Sequence, residues 1–256
     1  MRGKVKIRKG EIKIMQAKYS RKFFVNASNC DFTGCQSVDN IFDLFMDTSG
    51  EHATELKINA DDLKKDGLFW IIAKTMVRFY ERPRLYDLVT VSTWPEAGAG
   101  YRCFRSNTIE KDGEILVACR QQWAVISAAD GKARNVADIL PADLIYLDER
   151  AVDEDFYHIT GDFPNEPFAA YKVRSTDIDF VGHMNNVAYI RALETIYTTK
   201  QWRELDPYEI EISYAASCHE GDELLFTKRE NSGKTEILAY LEGGKKIAYY
   251  TLTPRR

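Results

Sequence analysis

Residues 174–190 read RSTDIDFVGHMNNVAYI, and the rest of the chain is best understood from this segment outward. The pattern predicts the end of a strand, a short polar turn and the start of a helix. Gly182 would allow a tight turn or a close approach of the backbone to a ligand, and Asn185 or Asn186 would serve as the helix N-cap. Apolar residues then follow at helical spacing: Val187, Ile190, Leu193, Ile196 and Tyr197.

An acid, a histidine and a helix N-terminus therefore come together within a few residues of Asp179. A helix N-terminus carries partial positive charge and unpaired N–H donors. Those donors can polarise a carbonyl group, and a nearby carboxylate can activate water against it. Asp also caps helices frequently, so the residues alone leave open whether Asp179 is a catalytic carboxylate or a structural cap. Asp177, two residues earlier, is expected to face solvent.

The same segment resembles the active-site segment of the acyl-acyl carrier protein thioesterases, which belong to the hotdog-fold superfamily. The family pattern is roughly Asp-x-Asp-x-Asn-x-His-Val-Asn-Asn-x-x-Tyr. Its positions hold Asp177, Asp179, Val181, His183, Met184, Asn185, Asn186 and Tyr189 here. The wider hotdog thioesterase pattern Asp-x-x-Gly falls on Asp179 and Gly182. Further similarity lies at residues 68–70, 86–89, 91, 93–94 and 113–116, so the resemblance covers nearly the whole chain.

Two positions depart from the family pattern. The Asn that follows the key Asp by two residues is Val181 here, and valine cannot orient a water or a carbonyl group. The plant enzymes carry Glu-Cys after a Tyr-x-x segment, whereas this chain has Ser217-Cys218 after Tyr214. The cysteine is kept, and the acid is replaced by a serine. A site in this chain would therefore be arranged differently from the family pattern.

The resemblance implies an α+β fold of two tandem hotdog domains, each with an antiparallel sheet wrapped around a central helix, which together form a pseudo-dimer. It implies an enzyme that hydrolyses the thioester of fatty acyl-acyl carrier protein and releases free fatty acid. Asp179 would act as the general base or orient the attacking water. His183 would position the substrate or share the proton transfer, and N–H groups near Met184 to Asn186 would hold the thioester oxygen.

Four further polar residues complete the candidate site. Cys218 could act as a nucleophile paired with His183, although a free cysteine is more often a small buried hydrophobic residue. Ser217 is a candidate water-binding hydroxyl. Asn185 and Asn186 are expected to form the helix start, and Asn186 or its neighbour would also shape the oxyanion pocket.

An earlier stretch of the chain repeats this segment. Residues 31–34 match residues 179–182 as Asp-Phe-x-Gly at a separation of 148 residues (179 − 31). A repeat of this length indicates two copies of one supersecondary unit. Cys35 stands in the first copy where the second has His183, and the asparagine pair is also missing there. We therefore expect the chemistry in the second copy.

The repeat predicts an N-terminal domain at residues 1–137, a connector at 138–167 and a C-terminal domain at 168–256 that carries the catalytic segment. Central helices are expected from Ser37 or Val38 to His52, with Ser37 as N-cap, and from Asn185 to about Lys200. The site should lie at the seam between the two copies. Residues that could line an acyl tunnel, or could simply be core, are Phe42, Phe45, Met46, Leu68, Phe69 and Trp70.

Composition excludes several classes of function. The five cysteines are odd in number and show no CxxC pair, which argues for reduced thiols and against a metal site, and no cofactor is expected. The net charge of −4 argues against nucleic acid as a partner. No apolar run approaches the roughly 20 residues of a membrane span, and the basic start lacks the apolar core of a secretory signal. A cytoplasmic protein is the default expectation.

The expected partner is acyl carrier protein with a fatty acyl-phosphopantetheine. An acidic carrier would dock on a basic patch, for which the candidates are Arg102, Arg105, Lys200 and Arg203, although scattered surface charge would also explain them. Hydrolysis of acyl-coenzyme A is the nearest alternative, and a non-catalytic acyl-binding hotdog protein is another. The sequence leaves a homodimer and the acyl chain length open.

Overall fold

The computed structural model describes residues 17–255, so residues 1–16 of the predicted N-terminal domain lie outside the described residues. Eleven strands of the described chain form one continuous sheet. The strands are β1 (Tyr19–Phe24), β2 (Leu68–Phe79), β3 (Leu88–Ala99), β4 (Arg102–Lys111), β5 (Glu114–Ser127), β6 (Ala133–Arg134), β7 (Ala169–Lys172), β8 (Pro207–Tyr214), β9 (Glu223–Asn231), β10 (Lys234–Leu241) and β11 (Lys246–Pro254). The α-helices are α1 (Val38–Glu55), α2 (Ala60–Lys65), α3 (Ala188–Thr195) and α4 (Thr199–Leu205).

The strand order divides the sheet into two equivalent halves. From its outer edge inward, the first half runs β1-β3-β4-β5-β2 and the second half runs β7-β9-β10-β11-β8. The halves join where β2 pairs with β8 in antiparallel register, centred on Met76 opposite Glu211. We call this pairing the seam. Because the seam is made of backbone hydrogen bonds, the two halves share one sheet.

The turns that lead to the two central helices have the same backbone hydrogen bonds. In the first half Asp31 N donates to Cys35 O at 2.9 Å, and in the second half Asp179 N donates to His183 O at 2.9 Å. The separation of 148 residues that the sequence predicts is thus kept in three dimensions. The internal repeat is confirmed.

Helix α1 begins where the sequence predicts. Ser37 is its N-cap, and the Ser37 Oγ accepts a hydrogen bond from Asn40 N at 3.4 Å. The apolar side of α1 lies in a buried cluster to which the sheet and α3 also contribute. Each large apolar side chain buried in this way contributes about 1.5–3 kcal/mol to folding. None of the helices between residues 17 and 255 combines the length and apolar character that a bilayer crossing requires.

The second central helix is shorter than predicted. It runs over Ala188–Thr195 instead of from Asn185 to about Lys200, and α4 follows as a separate helix. The Thr198 hydroxyl accepts from Gln201 N at 3.3 Å, and the Gln201 side chain accepts from Thr198 N at 2.9 Å. This capping box starts a new helix, and the β-branched residues just before it have low helix propensity. Local capping therefore overrides the apolar periodicity.

The predicted connector crosses the face of the sheet opposite to α1. Leu147 forms a parallel bridge with Glu96 on β3. Farther along, Tyr157 N donates to Glu211 of β8 at 2.8 Å, and the Tyr157 hydroxyl donates to Glu236 of β10 at 2.9 Å. The chain thus passes over the seam from the first half to the second. The exact boundaries given to the two domains stay a prediction.

Candidate active site

Asp179 lies half-buried in the turn before α3. The turn is closed by the hydrogen bond from Asp179 N to His183 O and by an antiparallel bridge between Ile178 and Met184. The Asp179 Oδ1 atom accepts from Val181 N at 2.9 Å and from His183 N at 3.4 Å. Among the described residues, Oδ2 has no hydrogen-bond partner. The carboxylate is therefore fixed through one oxygen and can offer the other to water.

Two of the three N–H groups that the sequence assigns to the thioester oxygen are already occupied. Met184 N donates to Cys218 O at 2.9 Å, and Asn185 N donates to Asp177 O at 2.8 Å. The expectation for these two groups is wrong, because the turn uses them to hold its own backbone. Within residues 17–255, Asn186 N has no hydrogen-bond partner. Of the three, the Asn186 N–H alone remains able to hold a carbonyl oxygen.

The asparagine pair precedes α3, but the N-cap predicted at Asn185 or Asn186 is wrong, because Val187 holds that position. The Asn185 side chain accepts from Val187 N at 2.8 Å, and its carbonyl accepts from Ala188 N at 2.9 Å. The Asn186 carbonyl accepts from the Tyr214 hydroxyl of β8 at 3.1 Å. The helix start is thereby tied to the strand that forms the seam.

His183 is half-buried and stands beside a second histidine. The rings of His183 and His219 meet edge to face, with centroids 5.1 Å apart. His219 Nδ1 lies 4.0 Å from Asp222 Oδ2. No side-chain hydrogen bond joins His183 to Cys218 in the described part of the chain. No motif spacing predicts His219 at this place, since it lies 36 residues (219 − 183) farther along the chain.

The structure favours a packing role for Cys218 over a nucleophilic one. Its side chain is fully buried, and burial raises the pKa of the thiol to about 11. A nucleophilic cysteine needs a lowered pKa to supply the thiolate. The neighbouring Ser217 is exposed, and its carbonyl accepts from Lys245 Nζ at 3.5 Å. The Ser217 hydroxyl therefore faces solvent at the edge of the site.

Asp177 does not face solvent, so that expectation is wrong. It is 4% exposed. Its Oδ2 atom accepts from the Tyr171 hydroxyl at 2.9 Å and from Arg174 N at 2.8 Å. Its carbonyl also holds Asn185 N. Asp177 is thus the structural acid of the segment, whereas the second oxygen of Asp179 has no partner among the described residues.

The equivalent acid in the first half is neutralised. Asp31 Oδ1 accepts from Thr33 N at 2.7 Å, and Asp31 Oδ2 binds Arg82 Nη1 at 2.5 Å. Both side chains of this ion pair are largely buried. Both oxygens of Asp31 are therefore occupied by hydrogen bonds from the protein.

Arg82 occupies the place that Ser217 has in the second half. In each half, one N–H group of the turn donates to a backbone carbonyl of the facing loop. The acceptor is the carbonyl of Pro83 in the first half, at 2.7 Å, and the carbonyl of Cys218 in the second half, at 2.9 Å. Arg82 precedes Pro83 just as Ser217 precedes Cys218. One substitution between the copies therefore decides which acid keeps a free oxygen.

A contact that the sequence does not predict joins the two central helices. Glu194 of α3 accepts from Asp39 N, at the start of α1, at 3.2 Å. Arg191 Nε lies 3.2 Å from Asp39 Oδ2. Burial, with the charge of Asp39 adding to it, raises the pKa of Glu194 to about 8. The signal in the sequence was that Glu194 stands within the apolar series of the second central helix.

Two clefts lie away from Asp179. One of about 290 Å³ borders the first-half turn and α4, with Phe32, Val38 and Trp202 in its wall. The other, of about 240 Å³, lies on the face of the seam that the connector crosses. Asp179 lines neither of these two clefts.

Comparison with known families decides where the chain belongs. The family described as the acyl-ACP thioesterase N-terminal domain matches residues 16–144, and the acyl-ACP thioesterase C-terminal domain matches residues 164–249. The chain belongs to the acyl-ACP thioesterase family.

Plant members of the family are distant relatives. The oleoyl-acyl carrier protein thioesterase 2, chloroplastic, of Arabidopsis thaliana is 22% identical over 248 residues, which cover 88% of this chain and 66% of that protein. The oleoyl-acyl carrier protein thioesterase, chloroplastic, of Coriandrum sativum is 22% identical over 242 residues, or 85% of this chain and 64% of that protein. The chain thus spans just under two thirds of the length of these curated relatives.

Solved structures of the family share the fold. An acyl-ACP thioesterase from Bacteroides thetaiotaomicron superimposes with a TM-score of 0.84 at 20% identity, covering 93% of this chain and 98% of that one. The 12:0-ACP thioesterase from Umbellularia californica gives a TM-score of 0.83 at 16% identity, covering 94% and 98%. The α+β fold of tandem hotdog domains is thereby confirmed.

This acyl-ACP thioesterase family member differs at two positions around the turn. Val181, in place of the family Asn, is 61% exposed. Ser217, in place of the family acid, is exposed as well. Neither side chain can hold a water against Asp179 as an amide or a carboxylate would. Among the described residues, the polar groups around the turn include Asp179, His183, the Asn186 N–H and His219 beside His183.

Proposed function

We propose that the chain hydrolyses the thioester of fatty acyl groups carried by acyl carrier protein and releases the free fatty acid. Membership of the acyl-ACP thioesterase family supports the reaction class. The single observation that carries the proposal is the Asp179 carboxylate, whose Oδ2 has no partner among the described residues. A carboxylate with a free oxygen beside a helix start can act as a base near an electrophilic carbonyl.

In the proposed reaction, Asp179 takes a proton from a water molecule as that water attacks the thioester carbonyl carbon. The carbonyl oxygen becomes an oxyanion, which accepts a hydrogen bond from the Asn186 N–H. One such donor is typically worth about 3 kcal/mol in the transition state. Collapse of the intermediate breaks the carbon–sulfur bond, and the departing sulfur receives the proton from Asp179 or through His183. The products are a carboxylic acid and the carrier thiol.

A second candidate is a non-catalytic acyl-binding protein. Val181 and Ser217 favour it, because they replace the two side chains that the family pattern supplies around the key acid. Hydrolysis of acyl-coenzyme A is the nearest catalytic alternative, since it uses the same thioester chemistry. Thioester turnover by the purified chain distinguishes an enzyme from an acyl-binding protein. The relative rates on carrier-bound and coenzyme A thioesters distinguish the two possible enzymes.

The test compares Asp179→Asn with Asp31→Asn, the matched change in the other copy. We expect Asp179→Asn to lower kcat for carrier-bound acyl thioesters by about two to four orders of magnitude, the usual contribution of a general base. Asp31→Asn should leave kcat near that of the wild type, because Asp31 is bound by Arg82. Circular dichroism and the melting temperature check that both variants fold.

Each outcome decides between the candidates. Near-normal turnover by Asp179→Asn would reject the role of Asp179. Absence of turnover by the wild type on thioesters of several chain lengths, with acyl chains still bound, would establish the binding protein instead. A higher kcat/KM on acyl-coenzyme A than on the carrier-bound thioester of the same length would show that acyl-coenzyme A, rather than acyl carrier protein, is the preferred substrate.

A further inference from the structure

Arg105 is a buried cation that has no carboxylate partner among the described residues. It lies on β4, is 9% exposed, and therefore contradicts the expectation that it forms part of a surface patch. Among residues 17–255, no carboxylate lies within ion-pair distance of its guanidinium. Burial lowers the pKa of Arg105 to about 10, since removal from water disfavours the charged form. Charged groups buried without a partner are costly, so their retention points to a use.

Most of the donors of this guanidinium have no partner within residues 17–255. Nη1 donates to His52 Nδ1 at 3.0 Å and to Thr93 Oγ1 at 3.1 Å. Nε and Nη2 have no hydrogen-bond partner in the described part of the chain. An arginine presents its N–H groups as a planar fork that matches a carboxylate. The free edge of Arg105 therefore has the geometry of an anion-binding group.

Arg120 is a second buried arginine, and unlike Arg105 it is paired with carboxylates. It lies on β5, next to Gln121, and is 2% exposed. Its guanidinium binds the Glu96 carboxylate at 2.9 Å and also reaches Asp155. Because side chains alternate along a strand, Arg120 faces the connector, whereas Arg105, through its bond to His52 of α1, faces the helix side of the sheet. The unpaired arginine is the one inside the hotdog.

A polar row connects Arg105 with the candidate active site. Thr75 of β2 lies opposite Gln121 of β5, and Gln121 lies opposite Arg105 of β4. Neighbouring strands are about 4.8 Å apart, so Thr75 and Arg105 are separated by roughly 10 Å. At the near end of the row, Tyr214 lies beside Thr75, and the Tyr214 hydroxyl donates to the Asn186 carbonyl.

Thr75 also has an unused polar atom. Its side chain is 1% exposed, and its hydroxyl has no hydrogen-bond partner among the described residues. The row therefore begins beside Tyr214, whose hydroxyl binds the Asn186 carbonyl, and ends at a cation that has no carboxylate partner in the described part of the chain. Apolar side chains would line this path if it received a plain alkyl chain.

We propose that the row of Thr75, Gln121 and Arg105 receives the acyl chain, and that this chain carries a carboxylate at its far end, which Arg105 binds. The inference rests on the proposed function, because the thioester end of the same chain would lie at Asp179. The substrate class is thus a thioester of a dicarboxylic acid. Hydrolysis at Asp179 leaves the far carboxylate unchanged.

The kinetic test uses pairs of carrier-bound thioesters with equal numbers of carbons, one ending in methyl and one in carboxylate, such as octanoyl and octanedioyl, over several lengths. At the best length, the wild type should favour the carboxylate-ended member in kcat/KM by roughly tenfold or more, as a charged hydrogen-bonded pair provides. Arg105→Met should abolish that preference. Arg102→Met, an exposed arginine on the same strand, is the matched control and should keep it.

A binding test stands independently of turnover. Measured by calorimetry, octanedioic acid should bind the wild type with higher affinity than octanoic acid does. The two affinities should be equal in Arg105→Met. The melting temperature of Arg105→Met should equal or exceed that of the wild type, because an uncompensated buried charge is removed. A lower melting temperature with an unchanged substrate ratio would make Arg105 structural only. If no thioester is hydrolysed but octanedioic acid still binds more strongly than octanoic acid, the proposed hydrolase activity is rejected and the proposed carboxylate-binding site is supported.

Discussion

The difference between Arg82 and Ser217 sets the chemistry of the two turns. Both follow the same backbone course, and both contain an Asp in the same position. In the first half the guanidinium of Arg82 satisfies the second oxygen of Asp31. In the second half that place belongs to the exposed Ser217, and the second oxygen of Asp179 has no partner in the part of the chain that the structure describes. A pseudo-dimer can thus confine a reaction to one of two similar sites by a single cationic side chain.

Phe180 gives a prediction about the carrier protein at the residue scale. It is 91% exposed, and Val181 beside it is 61% exposed. A carrier that brings a thioester to Asp179 must cover these two side chains, and aromatic residues buried at an interface are frequent sources of binding energy. Phe180→Ser should raise KM for carrier-bound thioesters by about tenfold or more. It should leave the hydrolysis of a small pantetheine thioester unchanged.

Phe32→Ser is the matched control for Phe180→Ser. Phe32 has the same position in the first-half turn, but there it packs under Arg203, whose guanidinium lies 5.2 Å from the ring centroid. Steady-state kinetics on both substrates would measure the effect. An equal rise of KM in the two variants, or a parallel loss of small-substrate hydrolysis in Phe180→Ser, would contradict docking at this turn.

At the scale of elements, the start of α1 could be predicted and the surroundings of α3 could not. Ser37 caps α1 through a neighbour three residues away, so the sequence holds all that is needed. The occupied N–H groups of Met184 and Asn185 depend on the facing loop at Cys218 and on a buried Asp177. Arg105 was expected at the surface because composition does not reveal which face of β4 the helix covers.

The contact between α1 and α3 predicts a pH dependence of stability. Glu194 accepts from Asp39 N at the start of α1, and its pKa in the folded protein is raised from 4.5 to about 8. The folded state therefore keeps a proton that the unfolded state loses above pH 4.5. Stability from this group is full below pH 4.5 and is lost as the pH rises to about 8. The slope is at most about 1.4 kcal/mol per pH unit.

Glu194→Gln tests this linkage, since glutamine resembles the protonated acid. Urea unfolding at several pH values should give a curve that falls less steeply between pH 5 and 8 than that of the wild type. Some slope should remain, because burial also raises the pKa of Asp43 to about 6 and of Glu211 to about 7. Glu204→Gln, at an exposed position on α4, is the control. An unchanged slope in Glu194→Gln would contradict a protonated Glu194.

At the scale of the molecule, the internal repeat predicts two structural units. The seam joins these units into one sheet. The motif spacing of 148 residues was visible because both turns need the same Asp and Gly. The pairing of β2 with β8 was not visible, because the inward residues Val77 and Ile210 would look the same at any buried strand pair. One apolar cluster contains side chains from both halves. We therefore expect the two halves to unfold together.

The four tryptophans allow this cooperativity to be measured, because Trp70, Trp94 and Trp123 lie in the first half and Trp202 alone lies in the second. In a Trp202→Phe background, fluorescence reports only the first half. Ile237→Ala, a fully buried position on β10, should cost about 2–5 kcal/mol. If the seam couples the halves, the fluorescence midpoint in urea should fall together with the circular dichroism midpoint. Ile109→Ala, buried on β4 in the first half, calibrates the response, and a first-half midpoint that stays unmoved by Ile237→Ala would show that the halves unfold independently.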